Sequence, residues 1–511
     1  MTSASPSSSI PDMRLEGSVF FPAVIIALLL GGSFVLFPDA SSDITAALRI
    51  GITKNFGWLY MGLGLAALGF ALWLAFGRFA HVRLGAEGEP PEFSTPHWVA
   101  MMFTAGIGAG LATWAFAEPI YYLATPPLGI EPHSPLAFEF AHMYPLLHWG
   151  LVPWAIYAVP AVPIAYMLYV KRKPFLRISE SCDGVLPETG RQTIKRAMDV
   201  FIILGLLGGT ATSLGLGVPL VSAAVAELFG VADTSLVKFM VLGLWVVMFG
   251  SSTLRGLKKG IQVLADINMV MAGLFISFIL FVGPTLFILD LTVNSFGLML
   301  DNFFRASLWS DPVSGGSFPE DWTVFYWAWW IAFAVLVGLF VGRISRGRTV
   351  RQLILGTLLW GSLGTWIFLA IAGGYSLHLE LNNILPLSEI LKEEGMFSLT
   401  AQIIGTLPYS KVLLAMFILL CLIFYATTMD SAAFVLAGIC ARNIRADQEP
   451  ALYLRVAWIT MIGLMTAGMI MSGNQNTIQA LTIISSLPLI PIMILMCVSI
   501  VRWLQQDQTA S

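Results

Sequence analysis

Charged residues and cysteines are scarce in this sequence of 511 residues, and both shortages limit what the chain can be. Charged residues make up 11% of the chain, hydrophobic residues make up 57%, and the mean hydropathy is +0.80. Soluble domains carry about 25% charged residues, so lipid must be the solvent for most of this chain. The four cysteines show no framework of paired external cysteines, and we interpret them as small core residues.

Enzyme motifs are also missing. The sequence has no Gly-rich phosphate loop ending in Lys-Ser or Lys-Thr, which excludes transport powered by ATP on this chain. The six histidines show no metal-ligand spacing, and no His-Glu-x-x-His occurs. We therefore predict a protein that is not an enzyme, has no cofactor, and binds neither a transition metal nor nucleic acid.

Long apolar runs are the dominant feature of what is present. A membrane-spanning helix needs about 20 mostly apolar residues, and such runs recur from Val19 to the C-terminal end. They predict an all-α integral membrane protein with twelve transmembrane helices, near residues 19–37, 56–77, 96–124, 143–170, 198–220, 237–254, 262–289, 321–342, 351–376, 411–439, 451–472 and 476–504. We expect residues 1–18 to form a disordered tail and the first apolar run to be retained, because no cleavage site follows it.

Lys and Arg occur in alternate connectors between these runs. The basic connectors follow the second, fourth, sixth, eighth and tenth helices, and the other connectors are nearly free of Lys and Arg. The positive-inside rule then predicts a multi-pass protein of the inner membrane with both termini cytoplasmic. Phe296, Phe303 and Phe304 suggest that the external connector at 291–320 contains a helix lying in the membrane interface. The tail at 505–511 is short.

The third apolar run contains three glycines at alternate positions, Gly106, Gly108 and Gly110. Such glycines weaken a helix and free backbone carbonyls. Broken helices at mid-membrane depth are where secondary transporters build their binding sites. The same glycines would equally serve close packing between helices.

The fourth and eighth runs are rich in aromatic residues. Trp149, Trp154 and Tyr157 fall within an arc of about 140° on a helix. The eighth run holds Trp322, Phe325, Tyr326, Trp327, Trp329, Trp330 and Phe333. A trimethylammonium group has no N–H to donate, so aromatic faces are its natural host. We interpret the three tryptophans at 327, 329 and 330 as part of a cation cage, and Trp322 and Phe325 as an interfacial belt that anchors the helix end.

The tenth run contains adjacent hydroxyls at Thr427 and Thr428. Threonine hydroxyls inside an apolar helix often donate to carbonyls of their own helix. Together with carbonyls freed across the bundle, they would instead supply the oxygen ligands of a small monovalent cation.

The segments Phe325–Trp330 and Arg343–Thr349 resemble the signature of the betaine/carnitine/choline transporter family, and the resemblance runs from about Phe20 to Arg502. It implies two peripheral helices within 19–95, followed by a core of two inverted five-helix repeats, at 96–290 and 321–504, with a broken third span. The family usually assembles as a homotrimer among membrane lipids. The resemblance implies a substrate-binding box at Trp149, Trp154, Tyr157, Trp327, Trp329, Trp330 and Phe333.

The resemblance also bears on energy coupling. Sodium-coupled members share the glycine stretch and the threonine pair, which implies sodium ligands at the carbonyls of Thr104, Ile107 and Phe424 and the hydroxyls of Thr427 and Thr428. Proton-driven choline carriers have Asp at the position of Gly110. Sodium-independent carnitine exchangers carry Arg on the seventh span, whereas residues 260–272 of this chain, in its seventh span, include no basic residue.

The implied function is secondary active transport of a quaternary-ammonium or related onium solute, such as glycine betaine, carnitine or choline, by sodium-coupled symport with alternating access. The alternative is a sodium-independent carnitine-type exchanger, because Pro90–Thr95 is most similar to those proteins. Thr113 stands where betaine carriers have an aromatic residue, so the preferred solute can differ from glycine betaine.

Overall fold

The structure is a computed structural model that describes residues 15–106, 108–173, 177–255, 258–442, 444, 448–473 and 475–510. Every regular element in this part of the chain is helical. The first two spans are α1 (Gly17–Leu36) and α2 (Pro38–Phe76), separated by one residue. With 39 residues, α2 begins well before the predicted residue 56, because Pro38 occupies its first turn, where a missing N–H costs nothing.

The next five spans contain the predicted break. The third span consists of α3 (Thr95–Gly106), α4 (Ala109–Trp114) and α5 (Glu118–Ala124), and the fourth of α6 (Pro135–His148) and α7 (Leu151–Tyr169). The fifth, sixth and seventh spans are α8 (Arg191–Phe229), α9 (Ser235–Arg255) and α10 (Lys258–Val282). The broken third span, predicted from its glycines, is confirmed as a feature of the fold.

The external connector starts earlier than predicted. Helix α11 (Thr285–Leu308) begins just after the seventh span ends, whereas the sequence suggested a seventh span reaching residue 289. Pro284 lies between the two helices and cannot donate a backbone N–H, which accounts for the early break.

The last five spans repeat the pattern. A π-helical turn (Pro319–Val324) leads into α12 (Phe325–Ile344), the eighth span. The ninth is α13 (Val350–Gly356) and α14 (Ser362–Leu381), joined by a π-helical turn at Thr357–Gly361. Two short helices, α15 (Leu387–Glu393) and α16 (Met396–Gly405), precede the tenth span, α17 (Ser410–Ile439). The eleventh is α18 (Leu452–Ser472), and the twelfth is α19 (Gln475–Ser486) with α20 (Leu489–Ala510).

Eleven helical segments of the described chain are long and apolar enough to cross a membrane. Helix α11 is among them, whereas the broken third span and α9 are not. We assign α11 to the external connector and count the third span and α9 as spans, which gives the predicted twelve. The helical content of the chain agrees with this twelve-span architecture.

Helix packing shows a two-fold relation between the two sets of five spans. Each of spans three to seven has a counterpart five spans later. The third span packs on the ninth, and its counterpart, the eighth, packs on the fourth. The fifth span packs on the eleventh and twelfth, and its counterpart, the tenth, packs on the sixth and seventh. Exchanging each helix of the first set with its counterpart therefore reproduces these contacts. Counterparts are five spans apart, so they cross the bundle in opposite directions, as an inverted repeat requires.

The basic connectors meet at one end of the bundle, which we call the basic end. There Glu16, before α1, accepts hydrogen bonds from Arg442, and the Arg442 guanidinium lowers the pKa of Glu16 to about 2. Lys171, after the fourth span, pairs with Asp507 on α20 at 2.7 Å. Both ends of the described chain thus lie at the basic end.

Candidate functional site

A cavity of about 410 Å³ lies at the centre of the bundle, between the third, fourth, fifth, seventh, eighth and tenth spans. This volume lies within the range typical of small-molecule sites. Aromatic side chains line one part of it, namely those of Trp149, Trp154, Tyr157, Trp329, Trp330 and Phe333. Hydroxyl side chains line another part, namely those of Thr104, Ser213, Thr427, Thr428 and Ser431.

The break in the third span opens directly onto this cavity. Gly108 is extended (φ −149°, ψ −173°), and a Cβ added there would meet open space. A Cβ on Gly110 would instead lie 2.7 Å from Cη2 of Trp149 and 3.3 Å from Cη2 of Trp329. Gly110 therefore lets two aromatic rings approach the backbone closely. Gly106 is the last residue of α3, and Ile107 lies outside the described residues.

The aromatic side chains form a continuous surface, which we call the aromatic wall (Trp149, Trp154, Tyr157, Trp329 and Trp330). Trp330 is its centre, with ring centroids 5.6 Å from Trp149, 5.5 Å from Trp154 and 4.6 Å from Tyr157. Trp149 also packs edge to face on Trp329 at 6.1 Å. Edge-to-face pairs of this kind add to the stability that burial provides.

Helical spacing explains the wall. Trp154 and Tyr157 are three residues apart on α7. On α12, Phe333 follows Trp330 by three residues and Trp329 by four, so each set shares a face. Phe333 lines the cavity one turn beyond Trp330. It packs against Gly209 of α8, because a Cβ added to Gly209 would lie 3.1 Å from the Phe333 ring.

Trp327, which the sequence placed in the same box, does not line the cavity. It is fully buried on another side of α12, with Nε1 3.0 Å from the ideal Cβ position of Gly64 on α2. The structure thus brings together six of the seven side chains predicted for the substrate box.

The interpretation of Trp322 and Phe325 as a lipid-facing belt is wrong. Both are buried and pack against Trp114 of the third span, with centroids 5.6 and 5.9 Å away. Tyr121 and Tyr122 also pack on Trp322, at 5.0 and 4.9 Å. We call these five side chains the aromatic plug.

The aromatic plug closes the cavity at the end opposite the basic end. At the basic end the lining continues down α12 to Phe340, which is 39% exposed, and to Asp266 on α10, which is exposed. The cavity therefore opens toward the basic end. Trp114, Tyr121 and Tyr122 were not among the predicted site residues, although their dense spacing at the end of the third run was a visible signal.

The hydroxyl side of the cavity is arranged differently. Thr427 Oγ1 donates to the carbonyls of Ile423 (3.1 Å) and Phe424 (3.0 Å), and Thr428 Oγ1 donates to that of Phe424 (2.8 Å). Thr104 Oγ1 donates to the Met101 carbonyl at 2.9 Å. Each hydroxyl hydrogen is used within its own helix, which leaves the oxygen lone pairs for a cation.

Thr104, Phe424, Thr427 and Thr428 all border the cavity, so the structure brings four of the five predicted ion ligands to one place. Asn268 and Asp266 on the seventh span lie there as well and were not predicted. Among the lining residues in the described part of the chain, Asp266 carries the only charge. Thr113 lies off the cavity, fully buried, with its hydroxyl 2.6 Å from that of Tyr425.

The segment Arg343–Thr349 packs against the start of the third span. The Arg348 guanidinium lies 4.1 Å from the Trp98 ring centroid, and Trp98 Nε1 donates to Ser345 Oγ at 3.2 Å. Arg346 pairs with Glu89 at 2.7 Å. A hydrogen bond from the Ala86 backbone N–H, with Arg346 nearby, lowers the pKa of Glu89. The segment thus joins the eighth and third spans beside the mouth of the cavity.

Comparison with known proteins agrees with this architecture. The family model described as BCCT, betaine/carnitine/choline family transporter, matches residues 18–509 of the 511. The match covers nearly the whole chain, including both sets of five spans and every residue that lines the cavity.

Proposed function

Because the chain belongs to the betaine/carnitine/choline transporter family, we propose that it moves an onium solute in symport with sodium, by alternating access. Membership makes it a multi-pass membrane transporter of solutes of the betaine, carnitine or choline kind, and not an enzyme. We propose further that the solute is glycine betaine, carnitine or choline and that sodium is the coupling ion. We also propose that the protein is a homotrimer in the inner membrane with both termini cytoplasmic.

The single observation that carries the proposal is that one cavity joins an aromatic wall to a group of hydroxyl oxygens. In this proposal Trp149, Trp154, Tyr157, Trp329 and Trp330 hold the trimethylammonium head by cation–π contact. Phe333 shapes the space next to them. Trp327 supports α12 from behind and does not contact the solute.

The hydroxyl side supports sodium as the coupling ion. Sodium takes hard oxygen ligands, and the Thr427 and Thr428 oxygens border the same cavity as the helix break, where Thr104 and Ile107 would add carbonyls. A positive charge of the protein in that place would make an external ion unnecessary, and the described lining residues include no Lys or Arg. This favours the symporter over the exchanger.

The open direction of the cavity suggests how access alternates. The aromatic plug separates the wall from the far end, while the side toward Phe340 is open. If the basic end is cytoplasmic, as the positive-inside rule implies, this is an inward-facing state. Release into the cytoplasm then takes place past Phe340, and opening of the plug admits the next solute.

The test is uptake into proteoliposomes. An inward sodium gradient should drive accumulation of glycine betaine, carnitine or choline, and sodium and solute should each tighten binding of the other by about five- to 150-fold. Replacing both Thr427→Ala and Thr428→Ala should abolish the sodium dependence or the uptake itself.

Thr466→Ala is the matched control, since its hydroxyl donates to the Ile462 carbonyl at 2.8 Å in the same way but lies on α18, away from the cavity. It should transport like the wild type. Full uptake without sodium, driven only by solute loaded inside, would replace the symporter with the exchanger.

A further inference from the structure

Behind the aromatic wall lies a buried carboxylate that the proposed function does not use. Glu118, in the first turn of α5, has no solvent exposure. Its Oε2 accepts hydrogen bonds from Trp149 Nε1 at 3.0 Å and from the Tyr326 hydroxyl at 2.7 Å. Its Oε1 accepts one from the Tyr122 hydroxyl at 2.6 Å.

The surrounding donors suit a charged carboxylate. Thr323 lies 3.1 Å from His148 Nε2, and Tyr122 lies 2.8 Å from His148 Nδ1. We assign the hydrogen positions from this network. The Thr323 hydroxyl donates to His148 Nε2, His148 Nδ1–H donates to the Tyr122 hydroxyl oxygen, and the Tyr122 hydroxyl donates to Glu118. Every donor is then satisfied, with His148 neutral and Glu118 acting only as an acceptor, as an ionised carboxylate does.

Within the described part of the chain, this carboxylate has no Lys or Arg as a counter-ion. The ion pairs of the described chain give Glu118 one partner, His148 at 3.4 Å, and no Lys or Arg. A buried charge without a counter-ion is costly, and an ionisable group at membrane depth marks a functional site unless a partner explains it. Trp149, whose N–H binds Glu118, also lines the cavity, so the cavity offers a place for a counter-ion.

We propose that Glu118 is a positioning residue that holds Trp149 in the aromatic wall and supplies the negative charge that selects a cationic head group over a neutral one of the same shape. This rests on the proposed function, because it assumes that an onium group lies against the wall. The Trp149 N–H···Oε2 bond fixes the ring edge, so the ring face stays toward the cavity. The carboxylate then attracts the cation through the low-dielectric interior.

The size of the effect follows from distance. A cationic head group on the Trp149 ring would lie about 10 Å from the Glu118 carboxylate. At this distance and an effective dielectric constant of about 20, the attraction between two unit charges changes the binding affinity about tenfold. Shape and burial act equally on a cation and on its carbon isostere. The aromatic wall contributes the same cation–π preference before and after Glu118 is replaced, so the change in discrimination on replacement isolates the charge of Glu118.

The experiment measures binding to the purified full chain by titration calorimetry, using pairs of solutes that differ only in N⁺ against C. Choline is compared with 3,3-dimethylbutan-1-ol, and glycine betaine with 3,3-dimethylbutanoate. Wild-type protein should prefer the onium member of a pair by at least about tenfold. Glu118→Gln should remove about tenfold of that preference, while changing the affinity for the uncharged 3,3-dimethylbutan-1-ol less than about twofold.

Two further variants separate charge from structure. Glu118→Asp keeps the charge and should keep the preference, even if both affinities fall. Tyr122→Phe removes one donor to Glu118 but no charge, and should also leave the preference intact.

Equal losses for both members in Glu118→Gln would reduce Glu118 to a structural role and overturn the proposal. Should that variant fail to fold, wild-type binding of both members within about twofold overturns it as well. Wild-type protein that binds none of the onium solutes would instead contradict the proposed function.

Discussion

The aromatic wall and the hydroxyl side of the same cavity are built in opposite ways. The wall is held by contacts between side chains of different spans, such as Trp330 of α12 against Tyr157 of α7. In the described part of the chain, the hydroxyls of Thr104, Thr427 and Thr428 donate to carbonyls of their own helices and to no other span. Tertiary packing therefore prepares the solute site before any solute arrives, whereas the ion side is a set of separate oxygens beside a helix break.

This difference has consequences for binding. A preformed aromatic site loses little entropy when it binds, so its affinity depends on the exact ring positions. Oxygens on separate helices become an ion site only when the helices approach each other. Sodium binding would then be coupled to movement of the third span relative to the tenth, and solute recognition would depend on rigid packing.

The sharpest test of the contrast uses two neighbouring glycines. Gly110→Ala should push Trp149 and Trp329 out of the wall, because its Cβ would lie 2.7 Å from one ring. Overpacking costs about 1 to 3 kcal/mol, which corresponds to about five- to 150-fold weaker solute binding. Tryptophan-fluorescence titration measures this.

Gly108→Ala is the matched control on the same stretch. Its Cβ meets open space, and its extended backbone suits any residue, so solute affinity should stay within about threefold of the wild type. Equal losses in both variants would show that the whole break, and not ring packing, sets the affinity.

A smaller effect should distinguish two tryptophans of the eighth span. Trp330→Leu removes the centre of the wall and should weaken onium binding by about 1 to 2 kcal/mol, or about five- to thirty-fold. Trp327→Leu removes a ring of the same size that faces α2, and binding by folded protein should change less than about twofold. Unchanged binding in Trp330→Leu would remove that residue from the site.

The smallest effect is expected on the ion side. Thr104→Ala deletes a hydroxyl that donates within its own helix but keeps the backbone carbonyl that we propose as the sodium ligand. The sodium concentration for half-maximal uptake should change less than about fivefold, because a hydrogen bond of this kind contributes about 1 kcal/mol to local structure. Thr428→Ala alone should raise it by about tenfold. A larger change in Thr104→Ala would mean that its hydroxyl binds the ion.

The substrate box was predictable from sequence only in part. Trp154 and Tyr157 share a helix face by their spacing, so the sequence could place them together. Trp327 and Trp329 are about 160° apart around α12, so both cannot face one cavity. The sequence did not reveal which of them does, because every side of this helix is apolar or aromatic.

The plug and the buried carboxylate show the same limit. Glu118 was visible as a carboxylate in an apolar setting, yet its contact with Trp149 joins residues that are 31 positions apart. Trp322 looked like an interfacial residue because it stands at the start of an apolar run. Its contact with Trp114 depends on how the third and eighth spans cross.

The sequence by itself determined the membrane class, the number of spans, the clustering of basic connectors and the break at Gly106–Gly110, because hydropathy, charge and glycine act locally along the chain. Only the tertiary structure decided which faces of the spans meet the cavity, which end is closed and which carboxylate lies behind the wall. The physical reason is that lipid tails and a protein core are equally apolar, so a membrane helix need not show in its sequence which side it turns inward.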